Sequence, residues 1–340
     1  MSDMKAAYID KTGGPDVIQI GTLPKPVISD DQILVRVKAV SVNPIDTYIR
    51  NGANYWPLEY PFVIGCDFAG EIAEVGRAVD CNRYEFAKVG RRVWGSNQGL
   101  MGRGGSFAEF IAIDPAWAYP TPEAASDADA AACALVGITA ALGLFEHAAI
   151  TSEETIFVRG GTGGVGSMVV QMAAALGCRV ITTAGSREKA DRCRQLGAAD
   201  VIEYHREDTS SRLAELVPGG VDVFWETLRE PRFDEAVAAM AENARMILMA
   251  GRDAKPPFPV GPFYVKGCRL LGFVMFKAAP EQQRRVATRI NELFAAGQLK
   301  SQIDRVLPID AAAQAHRLQE EATIRGSGEL AGKLVLTFDH

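Results

Sequence analysis

The sequence predicts an α/β chain in which a doubly wound parallel sheet is joined to a second, β-rich domain. Three observations predict it. A β-branched, apolar run, Thr155 to Val158, enters a glycine-rich turn and leaves it as a helix-like run, Ser167 to Leu176. Strand-like and helix-like runs then alternate, the pattern of a parallel sheet covered on both faces. At 340 residues the chain is also long for one domain, so two are expected.

The elements follow in order. Up to about residue 120 the chain is strand-like and punctuated by glycine and proline. Ile33 to Val40 alternates apolar with polar, as a half-buried strand does, and Phe68 to Val75 and Gly105 to Ala112 are similar. The character changes after Pro120-Thr-Pro122. A helix-like run, Asp127 to Ala149, leads into strands at 155–159, 179–183, 200–203, 221–225, 245–249 and 268–274, with helices at 165–176, 187–196, 209–216 and 232–241 between them. The tail holds a helix (Pro280 to Ala296), a strand (Arg305 to Ile309), a helix (Ala311 to Glu321) and a closing strand (Lys333 to Phe338). These tail strands do not extend the alternation and are expected to return to the first domain. The domains are therefore placed at 1–122 with 277–340, and at 123–276.

The turn reads Gly161-Thr162-Gly163-Gly164-Val165-Gly166 and carries a G-x-G-x-x-G pattern. Gly161 permits the tight turn, Gly163 lets backbone approach a pyrophosphate, and Gly166 lets helix and strand pack closely. The helix start adds free N–H groups and partial positive charge. Alone the pattern is weak. Between a strand and a helix it predicts a Rossmann dinucleotide site.

The next strand indicates which dinucleotide. A chain that prefers NAD usually carries Asp or Glu at its end, to hold the ribose 2′-OH. Here Ala184-Gly185-Ser186-Arg187 follows, then Lys189, with Tyr204 after the third strand. Hydroxyl and cationic groups welcome a 2′-phosphate that a carboxylate would repel. NADPH is the predicted cofactor. Arg187 and Lys189 also suit an ordinary solvated first turn.

Composition narrows the remaining classes. Hydrophobic residues make up 48% and charged residues 23%, ordinary for a soluble globular protein. A formal net charge of −6 with no basic run argues against nucleic acid as the main partner. The longest uncharged run, Ala130 to Phe145, is rich in Ala and Gly and short of the roughly 20 strongly apolar residues a membrane span needs. It reads as a buried helix, and no membrane association is expected. The N-terminus shows no signal core. Six scattered cysteines without a C-x-x-C pair read as reduced thiols, which points to the cytoplasm.

Several segments in the right order carry a resemblance. They are Met4 to Ala7, Ser41 to Arg50, Gly65 to Gly70 with Val75-Gly76, Gly105 to Glu109, the glycine turn, and Gly332 to Val335. Through them the chain resembles the medium-chain dehydrogenases/reductases of the zinc-free quinone oxidoreductase type, over nearly its whole length. The resemblance implies a GroES-like catalytic domain beside the Rossmann domain. It also implies a homodimer in which strands near 268–274 pair across a two-fold axis.

By the same resemblance, the superfamily's catalytic zinc ligands (Cys, His-Glu, Cys) fall on Asn43, Cys66-Asp67 and the neighbourhood of Val136. A catalytic zinc needs about three converging protein ligands. No structural-zinc cysteines occur in Arg91 to Ser106, so no metal is expected. Asn43 is then implied beside the nicotinamide, able to donate an amide hydrogen bond to a substrate oxygen. Tyr48 and Tyr55 match aromatic positions lining the pocket. Thr139, Gly251, Phe273 and Met275 match positions near the cofactor. Asn43-Pro44 also suits a plain turn start, and Tyr48 plain packing. Asp46 reads as structural, holding backbone N–H groups.

Without a Lewis acid the substrate must accept hydride readily by itself. Quinones and other conjugated carbonyl compounds do. The alternative is an enoyl thioester on coenzyme A or a carrier protein. That would need a basic patch, for which Arg83, Arg91, Arg92 and Arg103 are contributors.

Overall fold

The chain is described by a computed structural model covering residues 2–53, 56–324 and 330–338. It divides into two units, Val136–Ala278 and Met1–Leu135 with Ala279–His340. The division falls inside the helix Asp127–Ala141, later in the chain than the composition change near residue 122.

Val136–Ala278 is built on a six-stranded sheet. Its spatial order is Asp200–Glu203, Arg179–Ala184, Thr155–Val158, Val221–Glu226, Met240–Leu248, Arg269–Gly272. The order is thus third, second, first, fourth, fifth, sixth, and every pairing is parallel. Strands covered on both faces must be apolar throughout. Ile156, Phe157 and Val158 in the first strand and Val223, Phe224 and Trp225 in the fourth are accordingly buried.

Helices Gly164–Leu176, Arg187–Gln195, Thr209–Leu216 and Phe233–Ala239 connect the strands. Ser186 starts the second by accepting the Lys189 N–H, and Asp208 starts the third by accepting the Ser211 N–H at 2.8 Å. Phe157, Phe224, Leu213, Val237 and Met246 join in one core cluster. In a sheet of this order, ligands bind beyond the carboxyl ends of the first and fourth strands, where the winding reverses.

The other unit holds a seven-stranded sheet and a three-stranded antiparallel one. The larger runs Ile303–Pro308, Lys333–Thr337, Ile33–Val42, Phe68–Val75, Arg92–Gly95, Ala118–Pro120, with Phe110–Ile113 also on Ile33–Val42. The tail strands thus join the N-terminal strands. Lys333–Thr337 lies antiparallel to Ile33–Val42, with Leu334 opposite Val42.

The segment after Asn43 differs from the plain turn start read from sequence: Pro44–Arg50 is a helix. Pro44 fits its first turn because that turn needs no N–H from it. The Asp46 carboxylate reaches back to the Asn43 N–H at 2.8 Å. The run Asp127–His147 is apolar enough by length to cross a membrane, yet 78% of its most apolar window lies buried within the folded chain. It is a core helix.

Candidate cofactor cradle and a buried polar cluster

In Val136–Ala278 the glycine turn has the geometry an anion needs. A Cβ on Gly161 would stand 2.4 Å from Thr182 Oγ1, and one on Gly166 only 2.1 Å from the Gly160 carbonyl oxygen. Both positions exclude any side chain for internal reasons. Gly163 is different. A Cβ there would meet only the Gly160 oxygen, at 3.4 Å. Gly163 is also exposed, with φ −69° and ψ 164°, where any residue can sit. Nothing inside the fold demands glycine at that point, but close approach by a ligand would.

Gly163 is the N-cap of Gly164–Leu176, and its carbonyl takes the first helical bond, from Ser167 N at 2.9 Å. The N–H groups of Gly164, Val165 and Gly166 precede that bond and have no partner within the helix. Thr162 sits at the turn's apex, half-buried. The turn is pinned from below by Thr183, whose Oγ1 accepts Gly160 N–H at 2.9 Å.

The predicted 2′-phosphate residues gather at the end of the second strand. Tyr204 follows the third strand and donates its N–H to the Ala184 carbonyl at 3.2 Å. Its hydroxyl lies over Gly185, where a Cβ would come within 2.4 Å of it. Tyr204 as a whole is 49% exposed, at the surface beside Gly185. Ser186, Arg187 and Lys189 open the next helix beside it. No carboxylate occupies this corner's strand end, Thr183-Ala184-Gly185.

The remaining cofactor residues are more varied. Thr139 is buried within the helix Asp127–Ala141. Gly251 has φ +83° and fits tightly against the Arg229 carbonyl. Phe273 stacks on His147 with centroids 4.4 Å apart. Met275 is buried in a short turn. Phe273 and Met275 therefore have packing partners of their own.

The other unit carries a buried polar cluster around Asn43. Asp67 is its centre. Ser41 Oγ and Asn43 Nδ2 donate to Asp67 Oδ2, both at 2.8 Å, and Ser96 Oγ donates to Oδ1 at 2.7 Å. Ser106 Oγ donates to the Asp67 backbone carbonyl at 2.7 Å. Lys333 Nζ donates to the Val42 carbonyl at 2.7 Å and to Asn43 Oδ1. Ser41, Asn43 and Asp67 are fully buried, and Lys333 is 5% exposed.

Protonation follows from this geometry. Burial pushes the Asp67 carboxyl up, while Lys333 and the Asn43, Ser96 and Ser41 donors pull it back. Three donors on two oxygens suit an ionised carboxylate, which accepts all of them. Burial pushes Lys333 down, and Asp67 opposes that. We assign Asp67 as the carboxylate, because protonating it would add an O–H with no acceptor among its partners, and Lys333 as the ammonium that Asp67 and Asp46 both favour. Asp46, buried beside Cys66 and near Asp67, is raised to about 7, chiefly by burial.

The cluster gives Asn43 a different occupation from the one expected. Its Oδ1 is taken by Lys333, and its Nδ2 is shared between Asp67 and, at 3.5 Å, the Ser41 carbonyl. It is not presented as a donor to a substrate. Tyr48, half-buried, lies on the helix that Asn43 and Asp46 start. Tyr55 lies outside the described residues.

The donor set does not suit zinc. Among the described residues no three His, Cys, Asp or Glu side chains are grouped to hold a metal. Val136 is buried and apolar. The four arginines considered for a carrier's phosphates do not form one patch. Arg92 is tied to Asp127 at 2.8 Å, and Arg103 to the Asn97 carbonyl at 2.7 Å. Arg83 and Arg91 line a cavity of about 780 Å³ together with Lys88, Arg284, Glu85 and Glu292.

Sequence reasoning missed Lys333, Ser41 and Ser96. A lysine opening an apolar closing strand was the available signal for the first. The helix Pro44–Arg50 was missed although Asn43, Pro44 and Asp46 stand at N-cap, first and third positions, a helix-start signature.

Comparison with known proteins agrees with both units. Residues 29–123 match the alcohol dehydrogenase GroES-like domain, and residues 164–292 match a family described as zinc-binding dehydrogenase. The chain is 30% identical to the quinone oxidoreductase of Mus musculus over 339 residues, covering 98% of this chain and 97% of that one. A mycobacterial protein solved in complex with NADPH superposes with a TM-score of 0.83 at 27% identity, covering 98% of this chain and 99% of that one. A structure described as an NAD-dependent alcohol dehydrogenase gives 0.87 at 26% identity, with the same coverage.

Proposed function

This chain belongs to the quinone oxidoreductases of the medium-chain dehydrogenase/reductase superfamily, and from that premise we propose that it is an NADPH-dependent reductase of quinones and other conjugated carbonyl compounds, working without zinc. The observation that carries the reading is the pairing of an intact glycine cradle with a polar cluster whose donors do not suit a metal.

NADPH, when bound, supplies the hydride. The residues' part is to seat it and to receive an acceptor. The free N–H groups of Gly164, Val165 and Gly166 take the pyrophosphate over the bare Cα of Gly163. Ser186, Arg187, Lys189 and the Tyr204 hydroxyl take the 2′-phosphate, which distinguishes NADPH from NADH. Thr139, Gly251, Phe273 and Met275 flank the nicotinamide by family resemblance. With no metal to polarise a carbonyl, the acceptor must already be electron-poor. Tyr48, and by resemblance Tyr55, orient its oxygen through their hydroxyls. Asn43 holds the start of the helix that carries Tyr48.

A homodimer through the edge strand Arg269–Gly272 fits this reading. Leu270 in that strand, Val274 two residues beyond it, and Tyr264 and Val265 in the preceding helix Val260–Val265 are exposed apolar side chains.

NADPH oxidation measured with 1,4-benzoquinone, 9,10-phenanthrenequinone, a simple enone and crotonyl-CoA tests the proposal. Turnover is expected with the quinones and the enone. Preference for crotonyl-CoA would move the substrate class to enoyl thioesters. Tight NADPH binding with no turnover of any of them, or ethanol oxidation with NAD, would refute it.

A further inference from the structure

The cavity lined by Arg83 and Arg91 lies wholly within the unit that does not carry the glycine turn. Its volume of about 780 Å³ falls inside the range of roughly 300–1,000 Å³ usual for small-molecule sites. We propose that it binds a small organic phosphate, whose head group meets Arg284 and Tyr119.

The walls come from three places. The helix Pro280–Ala295 contributes Arg284, Thr288 and Glu292, which are four residues apart and so share one face. The strand Ala118–Pro120 contributes Tyr119, and the segment 82–91 contributes Phe86, Lys88 and Arg91. Asn291 ties helix to strand: its Nδ2 donates to the Pro120 carbonyl at 2.8 Å, and its Oδ1 accepts from Trp94 Nε1 at 3.0 Å. Trp94 packs in turn on the Tyr119 ring, with centroids 5.0 Å apart. The fold itself therefore holds this wall in place.

Two donors in the wall have no use inside the fold. Tyr119 is 2% exposed, and its hydroxyl has no hydrogen-bond partner among the described residues. Burial pushes that hydroxyl up and the nearby Arg284 pulls it back only in part, so it stays a protonated donor. Arg284 Nη2 is buried and equally unpartnered. The Arg284 guanidinium lies over the Tyr84 ring, 4.7 Å from its centroid, a contact that takes up its flat face but none of its N–H groups. Buried donors are nearly always satisfied, and leaving one unmet is costly. Two in one cavity wall call for an acceptor from outside the chain.

Charge selects an anion. Arg83, Lys88, Arg91 and Arg284 stand against Glu85 and Glu292. Arg83 is taken by Glu281 at 2.5 Å, and the remaining cations still outnumber the carboxylates. A phosphate ester presents three terminal oxygens and close to two negative charges, where a carboxylate presents two oxygens and one charge. Donors from Arg284, Tyr119, Lys88 and Arg91 around one space suit the phosphate. Phe86, Pro120 and Pro122 offer apolar surface to its organic part.

The test titrates the full-length protein with 1-naphthyl phosphate, 1-naphthoate and 1-naphthol in saturating NADPH, so that the cofactor cradle is already filled. One 1-naphthyl phosphate per chain is expected to bind, with 1-naphthoate at least tenfold weaker and 1-naphthol not bound. Tyr119→Phe removes an oxygen that bonds nothing in the fold. It is expected to melt no lower than wild type, to bind NADPH as before, and to bind 1-naphthyl phosphate about tenfold or more weakly. Arg284→Met keeps an apolar stem over Tyr84 and is expected to lose the phosphate altogether. Should it fail to fold, Tyr119→Phe decides alone. These variants locate the bound probe whether or not the cofactor reading holds. No binding to the wild type, equal affinity for 1-naphthol, a preference for 1-naphthoate, or unchanged affinity in Tyr119→Phe would overturn the proposal.

Discussion

Substituting alanine at two glycines of one turn should separate a glycine kept for a ligand from a glycine kept for the fold. Gly166→Ala places a methyl 2.1 Å from a backbone oxygen, against about 3 Å for the closest real contacts. The turn or helix must shift by roughly 1 Å, at a cost of about 1–3 kcal/mol. Gly163→Ala meets nothing nearer than 3.4 Å, and its φ of −69° suits alanine. Reduced freedom in the unfolded chain gains about 0.4–1 kcal/mol, and the poorer N-cap costs a similar amount. The fold should barely notice. Cofactor binding should: each hydrogen bond to a charged group is worth about 1.5–3 kcal/mol, so displacing one phosphate contact weakens NADPH roughly 10- to 150-fold. Thermal melts and NADPH titration by fluorescence give both quantities. The expected outcome is a Gly163→Ala protein that melts with the wild type and binds poorly, and a Gly166→Ala protein that loses both. A folded Gly163→Ala protein binding NADPH as tightly as wild type would show that no phosphate rests on that turn.

Two further outcomes follow. Lys189→Ala should weaken NADPH much more than NADH in parallel titrations; equal losses would remove Lys189 from the 2′-phosphate site. His316, fully buried, has its pKa pushed down to about 3, first by burial and then by Arg50. The unfolded chain therefore takes up that proton first, near pH 6.5. The stability it contributes is complete above about pH 6.5 and is lost as pH falls toward 3, at about 1.4 kcal/mol per pH unit. Asp46, raised to about 7, acts in the opposite direction between its unfolded value of 3.8 and 7. The comparison is therefore made against His316→Gln: from pH 7 to pH 5 wild type should lose about 2 kcal/mol more than the variant. Parallel losses in the two would show that the ring is not held neutral.

The parallel-sheet unit was legible residue by residue because its signals are local. Ile156, Phe157 and Val158 had to form a strand buried on both faces, and the alternation with helices allowed few arrangements. The cradle was equally legible, since Gly161 and Gly166 are dictated by contacts within a few residues of chain or across one strand. Tyr204 and Gly185 are 19 positions apart, but the parallel pairing of their strands brings them together in a way the motif anticipates. The polar cluster was not legible. Its members come from strands that are distant in sequence, and Lys333 lies 290 residues from the Asn43 it bonds.

What the amino-acid order determined alone is the periodicity of burial, the strand–turn–helix at 155–176, and the lack of a carboxylate where a 2′-phosphate would sit. Those depend on short-range sterics and charge. It took the folded chain to lay Lys333–Thr337 against Ile33–Val42, so that Lys333 meets Asn43 and Asn43 faces inward. Side-chain partners across a sheet are chosen by register, and register between strands so far apart is set by how the whole core closes, which no local pattern records.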